Sequence, residues 1–455
     1  MARIRGWSVF CRFMQHRIRT QVKFELLEFP LYSVLAHEYQ SYLSVDLFVM
    51  IEPQERFLSL GQSYFGSRDN PITQTECNVW DWDQLRLIKV KGRARYFEPR
   101  EDIEISVLAP LADYLSPEVR AITVNDDGLL TGVSTDPEED DTFFIGYTPF
   151  PLCSSLQHCS TIYFSQLQEL DRLGPAVDLV SYNDQMFAFK FKPFCHPGRP
   201  TISWDEMNLH IKLSPHPHIV PFGRIVLEDK ESRVIGFTTK YIPGGTLQSS
   251  KRPFRFEWLK QLTQLVDFLN LELGIMHQDI APRNLLVDQE TDNLLLFDFD
   301  FAVKGKEGLL QARDDVSGVV FTLYEIITGN TDFLNIPHWD RNIDMVQNIE
   351  WSCHRELDSD VSTFRNFLNE WIATRTDKDM QRYQNAPTRL TWPDLPTPPD
   401  YEVPYVPYET DLTKEGRAPW QTGLRMRRDA LKNGQYCFDW QRPPQSRLLK
   451  AKEGT

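Results

Sequence analysis

The sequence predicts an α+β protein in which strand-forming segments precede helical ones. Met186–Phe191 and Val234–Phe237 are short runs rich in aromatic and β-branched residues, the composition of buried strands. From Phe256 the period changes: Leu259, Leu262, Val266, Leu269 and Leu273 recur at steps of three and four, the stripe of a helix with one buried face. Gly274 stands where that helix should end. A second stripe, Val316, Val319, Val320, Leu323, Ile326 and Ile327, runs to Gly329.

Length and charge bound the function. The 455 residues leave room for two or three domains. A net charge of −15 opposes general attraction to nucleic acid or anionic membranes, and no apolar run reaches the roughly 18 residues of a membrane-spanning helix. The seven cysteines are odd in number and lack paired metal-ligand spacing, so they read as reduced thiols of a cytoplasmic or nuclear protein. Residues 1–23 carry Arg3, Arg5, Arg12, Arg17, Arg19 and Lys23 without an acid. This pattern touches that of an organellar transit segment, but serine is sparse and a basic tail is the preferred reading.

In residues 24–150 strand signals dominate. Ile103, Ile105 and Val107 alternate with polar residues, and Ile122-Thr123-Val124 leads into the turn Asn125-Asp126-Asp127-Gly128. Trp80, Trp82, Tyr96 and Phe97 are expected in the core. The run Asp136-Pro137-Glu138-Glu139-Asp140-Asp141 reads as a solvated linker.

The chemistry concentrates in Met276-His277-Gln278-Asp279-Ile280-Ala281-Pro282-Arg283-Asn284 and Phe297-Asp298-Phe299-Asp300-Phe301-Ala302. Phosphoryl transfer needs a carboxylate beside the attacking hydroxyl and hard oxygen ligands for Mg²⁺, which Asp279, Asn284 and Asp298 can supply. The two segments resemble the catalytic loop and metal-binding turn of the protein-kinase-like superfamily. His277-Gln278-Asp279 stands for His-Arg-Asp, and Asp298-Phe299-Asp300 for Asp-Phe-Gly. The resemblance covers about Thr161 to Thr376 and is nearest to kinase-like proteins of fungi. It implies a bilobal fold with a small β-rich N-lobe over 161–250 and a mainly helical C-lobe over 251–385, while strand signals mark a β-rich extension over 24–150 and composition a Pro/Tyr-rich tail over 386–455.

By the same resemblance Asp279 orients the acceptor hydroxyl, and Asn284 and Asp298 hold the metal. Lys190, in Ala188-Phe189-Lys190, contacts the nucleotide phosphates and is preferred over Lys192. Its acidic partner is Glu206, preferred over Asp205. Backbone groups of Lys240, Tyr241 and Ile242 meet the adenine edge. Asp314 or Asp315 anchors the catalytic loop. His277, His216 and His218 read as structural. A last helix is expected over Val361–Ile372, capped by Asp360 or Asp358.

Departures from the pattern carry information. Only Gly174 survives of the glycine-rich loop, with Ala176 and Leu179 at the other two positions, which weakens the phosphate cradle. Gln278 replaces the arginine that pairs with a phosphorylated activation loop, so control of that kind is not expected. Asp300 adds a carboxylate beside Asp298. The activation segment is short and lacks Ala-Pro-Glu, while Asp298 to Ala302 is similar to the corresponding turn of choline-type kinases. The expectation is an ATP- and Mg²⁺-dependent phosphotransferase acting on a protein or small-molecule hydroxyl. The alternative is a pseudokinase scaffold that keeps the fold, with or without nucleotide binding, and lacks efficient transfer.

Overall fold

Among the described residues, strands dominate before Tyr241 and helices after it. The computed structural model describes residues 51, 53–65, 74–93, 102–193, 202–304, 310, 313–375, 385–396 and 426–446. The basic stretch 1–23, Tyr96, Phe97 and most of the Pro/Tyr-rich tail lie outside the described residues. Two units divide the chain, one formed by Val49–Tyr241 with Thr391–Thr455, the other by Met1–Phe48 with Ile242–Leu390.

The first unit carries two sheets. Strands β1 (Phe57–Phe65), β2 (Gln74–Asp81), β3 (Arg86–Arg93), β4 (Ala121–Val124) and β5 (Leu130–Ser134) form the first in sequential order. The β4–β5 turn runs through Gly128 at φ 77°, a left-handed conformation that favours glycine. Residues 103–107, expected as a strand, instead begin helix α1 (Ile103–Leu108). An i, i+4 pair such as Ile103 and Val107 fits both periods, and burial of the adjacent Leu108 marks the helical face. That face packs on Cys77, Val79, Ile88, Val90 and Ile122.

The acidic run 136–141 is also not a solvated linker. Asp136 caps a 3₁₀ turn over Pro137–Glu139, Glu139 pairs with Lys91, and Asp141 pairs with Lys89 at 2.9 Å and Arg428 at 2.6 Å. Burial pushes the Asp141 carboxyl up, but contacts with Lys89, Asn78 and Arg428 outweigh it and hold it below its ordinary value. The cations come from β3 and from the short helix Arg427–Lys432, so local composition could not reveal them.

The second sheet has six strands in the order β6-β10-β11-β9-β8-β7: β6 (Thr161–Tyr163), β7 (Gln168–Gly174), β8 (Val177–Tyr182), β9 (Gln185–Phe191), β10 (Phe222–Leu227) and β11 (Val234–Lys240). Helix α2 (Ile202–Leu213) lies between β9 and β10 in sequence and buries Trp204 and Met207 against Ile225, Leu227 and Phe237.

The second unit holds helices α3 (Phe256–Asp267), α4 (Asp315–Thr328) and α5 (Val361–Thr374). All five residues of the first apolar stripe are buried, and Gly274 takes φ 66° beyond it. Two hairpin-like pairs lie in this unit: β12 (Ile275–Met276) with β15 (Val303–Lys304), and β13 (Leu285–Val287) with β14 (Leu294–Leu296). Asp360 stands at the N-terminus of α5 but makes no side-chain cap. Asp358 instead accepts from the Phe256 N–H at 2.8 Å and so caps α3, correcting the expected assignment. Among the described residues no helix is long and apolar enough to cross a membrane, and Cys77, Cys153, Cys159, Cys353 and Cys437 are free thiols.

Candidate functional site

In the first unit, strand alternation decides which way Lys190 points. Phe189 and Phe191 are buried on one face of β9, and Lys190 lies on the other. Its ammonium meets Glu206 of α2 at 2.7 Å, with the lysine side chain 23% exposed and the glutamate 1%. Lys192 lies beyond the end of the strand. Of the two acids considered, Glu206 is therefore the one beside Lys190, while Asp205 accepts from the Trp392 indole at 2.9 Å.

The segment at the expected glycine-rich loop is a β7–β8 hairpin with a tight turn at Pro175-Ala176. Ala176 has φ 59°, where a Cβ is disfavoured by roughly 1–2 kcal/mol. Leu179 is buried. Of the expected adenine-edge positions, the Lys240 N–H donates to Pro221 and the Tyr241 N–H to Met186. The unit boundary falls directly after Tyr241, so Ile242 opens the second unit.

In the second unit, the loop that carries Asp279 hangs from one buried acid. Asp315 accepts from the backbone N–H groups of His277 (2.8 Å) and Gln278 (2.7 Å) and from Asn270 Nδ2 (2.8 Å). Asp314 caps α4 through the Ser317 N–H, which resolves the two candidates. Burial pushes the Asp315 carboxyl up, and its donors pull it back. Asn270 lies in a π-helical turn, Phe268–Glu272, at the end of α3. Its remaining amide proton goes to the Ile275 carbonyl, and its oxygen accepts from Arg375. A fully buried asparagine inside an apolar stripe was the available sequence signal for this role, since buried amides need partners.

Asp279 is fixed from both sides. Arg283 Nη2 donates to its Oδ1 at 2.5 Å, and Asn284 Nδ2 donates to its Oδ2 and to its backbone carbonyl, both at 2.8 Å. Both protons of the Asn284 amide are thus committed to Asp279, which leaves its oxygen as a ligand atom. Asp298 adopts φ 65°, a left-handed conformation rare outside glycine, as does Gln278 at φ 64°. Asp298 and Asp300 offer carboxylate oxygens within 4.8 Å of each other. Hard, anionic oxygens at that separation, with an amide oxygen available nearby in sequence, suit a divalent cation such as Mg²⁺.

The electrostatics reinforce the geometry. Burial works against the charge of Arg283, but Asp279, Asp298 and Glu325 outweigh it and raise its pKa. Burial pushes the Glu325 carboxyl up to about 7 against the pull of Arg283. His277 packs edge-on against Phe299 with ring centroids 4.7 Å apart, and its Nε2 lies 3.1 Å from the Phe297 carbonyl, a structural setting. Gln278 holds the segment after Asp298: its Nε2 donates to the Phe301 carbonyl and its Oε1 accepts from the Leu310 N–H, each at 2.7 Å. This neutral clamp occupies the position of the family's arginine, and residue type alone did not announce it.

Parts of the sequence are similar to curated protein kinases. The chain is 29% identical over 174 residues to CBL-interacting serine/threonine-protein kinase 16 of Arabidopsis thaliana, covering 36% of this chain and 35% of the relative. It is 24% identical over 238 residues to CBL-interacting protein kinase 2 of Oryza sativa subsp. japonica, covering 41% and 52%. These matches support assigning the chain to the protein-kinase-like superfamily. A match of 29% over 125 residues to the serine/threonine-protein kinase CHK1 of Saccharomyces cerevisiae covers 25% of this chain and 22% of that kinase. The chain thus spans between 22% and 52% of the length of these curated relatives, and no family model matches it. A β-rich first unit and a more helical second unit are consistent with a bilobal kinase-like fold.

Proposed function

We propose that the protein is an ATP- and Mg²⁺-dependent phosphotransferase that moves the γ-phosphate to a hydroxyl of a protein or small molecule. The observation that supports this most is the fixing of Asp279 by Arg283 and Asn284, within a loop suspended from Asp315. A carboxylate held as an acceptor can orient a hydroxyl and take its proton as the phosphorus–oxygen bond forms. Asn284 and Asp298 would hold Mg²⁺, with Asp300 beside them. When bound, the ion would neutralise charge on the phosphates. Lys190, kept in place by Glu206, would bind the phosphates, and backbone groups of Lys240, Tyr241 and Ile242 would meet the adenine.

The turn at Ala176 favours a second reading. A hairpin tip with a Cβ where a glycine would leave room cradles phosphate less closely, so a pseudokinase that binds nucleotide and transfers little accounts for that feature.

Thermal unfolding with ATP, with and without Mg²⁺, tests the nucleotide site. A ligand at a hundredfold excess over its Kd stabilises by about 2.7 kcal/mol, several degrees in Tm. Stabilisation that requires Mg²⁺ and disappears in Asp298→Ala is expected. No response in the wild-type protein would refute ATP binding and both readings with it.

A further inference from the structure

We infer that Trp392 and Trp440, from the C-terminal part of the chain, are positioning residues that set the Lys190–Glu206 ion pair. This deepens the phosphotransferase reading, since that pair matters for phosphate binding, but its geometry and its test stand apart from transfer. All the groups involved belong to the first unit.

One contact set acts on the glutamate side. Residues Trp204 and Asp205 immediately precede Glu206 on α2, and each is tied to the segment 391–396. The Trp204 indole donates to the Pro393 carbonyl at 2.9 Å, and the Trp392 indole donates to Asp205 Oδ1 at 2.9 Å. Trp392 and Leu395 also pack on the cluster of Trp204, Met207, Ile225 and Phe237. The far end of the segment is anchored where Thr148 Oγ1 donates to the Pro396 carbonyl at 2.9 Å. Two oriented hydrogen bonds on consecutive residues fix the rotation of a helix about its axis, and rotation decides whether Glu206 faces Lys190.

The other set acts on the lysine side. Trp440 stacks on Phe191 with centroids 4.7 Å apart and lies 6.5 Å from Phe189, the two residues that flank Lys190 on the opposite face of β9. Its indole donates to the Tyr147 hydroxyl at 2.7 Å, and that hydroxyl donates in turn to the Lys192 carbonyl. The segment carrying Trp440 is itself pinned by Arg442, paired with Asp178, and by Pro443, whose carbonyl accepts from the buried Arg172 at 2.7 Å. Both members of the ion pair are therefore braced by residues about 185 to 250 positions later in the chain, a distance read from their numbers.

The test reads the ion pair directly. The full-length protein is treated briefly with an amine-acylating reagent, and modification at each lysine is quantified by mass spectrometry. Lys190, engaged by Glu206, should react slowly in the wild type, with Glu206→Gln as the released control. Trp392→Ala and Trp440→Ala are each expected to raise Lys190 labelling about fivefold or more. Lys89, on β3 of the other sheet, should be unchanged. Trp392→Phe, which keeps a ring and loses the N–H, should fall between. Unchanged Lys190 labelling in both alanine variants would overturn the proposal. So would a parallel rise at Lys89, because the segment would then merely hold the fold together. Because no nucleotide is present, an intact brace in a protein that ignores ATP would refute the phosphotransferase reading and leave this one standing.

Discussion

The loop that carries Asp279 and the Lys190–Glu206 ion pair are both polar centres, but they are stabilised from different distances along the chain. Asp279, Arg283, Asn284, Gln278 and their anchor Asp315 all lie within a stretch of fewer than 50 residues, and most of their bonds close inside it. The Lys190–Glu206 pair is buttressed by Trp392 and Trp440, far downstream. A local network can be inherited as a motif, whereas a remote brace depends on the tail being present and docked.

The largest expected effect tests the local network. Asp315→Ala removes the acceptor of two backbone N–H groups and of one Asn270 amide proton in the interior. At roughly 1–3 kcal/mol for each unsatisfied buried donor, a loss of about 3–5 kcal/mol is expected in urea unfolding. A loss below about 1 kcal/mol would show that the loop does not hang from this acid. Lys190→Met removes the charge without a large change of volume. It should weaken Mg²⁺·ATP binding about tenfold or more in a titration and also lower Tm, because the buried Glu206 carboxylate loses this cation.

A third measurement uses Glu325, an acid that interacts with Arg283. The folded-state pKa of Glu325 is raised from 4.5 to about 7, so the folded state binds its proton more tightly than the unfolded chain. The slope of stability with pH is then negative: this contribution is present below about pH 4.5 and is lost as pH rises to about 7. Glu325→Gln should remove that loss, gaining about 1–2 kcal/mol over wild type at pH 8 and little at pH 4, after discounting for partial exposure. Equal pH profiles would refute the shift. Smallest is Gln278→Ala, which breaks the bonds to Phe301 and Leu310. About 1 kcal/mol of local protection should be lost at the Leu310 amide in hydrogen exchange, with global stability nearly unchanged.

The same contrast in distance explains what the sequence made legible. The helical stripe from Leu259 to Leu273, the strand carrying Lys190, and the acid-amide-acid spacing of Asp279, Asn284 and Asp298 are local patterns, and each has a local structural consequence. Ile103, Ile105 and Val107 misled because five residues are too few to separate a period of 2 from one of 3.6. Asp136 to Asp141 misled because charge runs are read by composition, and Lys89, Lys91 and Arg428 reach them only through the fold. Composition marked the tail only as Pro/Tyr-rich, yet its described segments 391–396 and 426–446 pack within the first unit. Tryptophan indoles finding carbonyl, carboxylate and hydroxyl acceptors across such sequence separations leave no periodic trace.

The central claim is that Asp279 serves phosphoryl transfer, and labelled γ-phosphate transfer by wild type and Asp279→Asn tests it most directly. With Mg²⁺ present, the account predicts label on an acceptor, or on the protein itself, that falls at least a hundredfold in the variant while Mg²⁺·ATP binding persists. Equal transfer by the two proteins, or none by wild type that binds Mg²⁺·ATP, would contradict it.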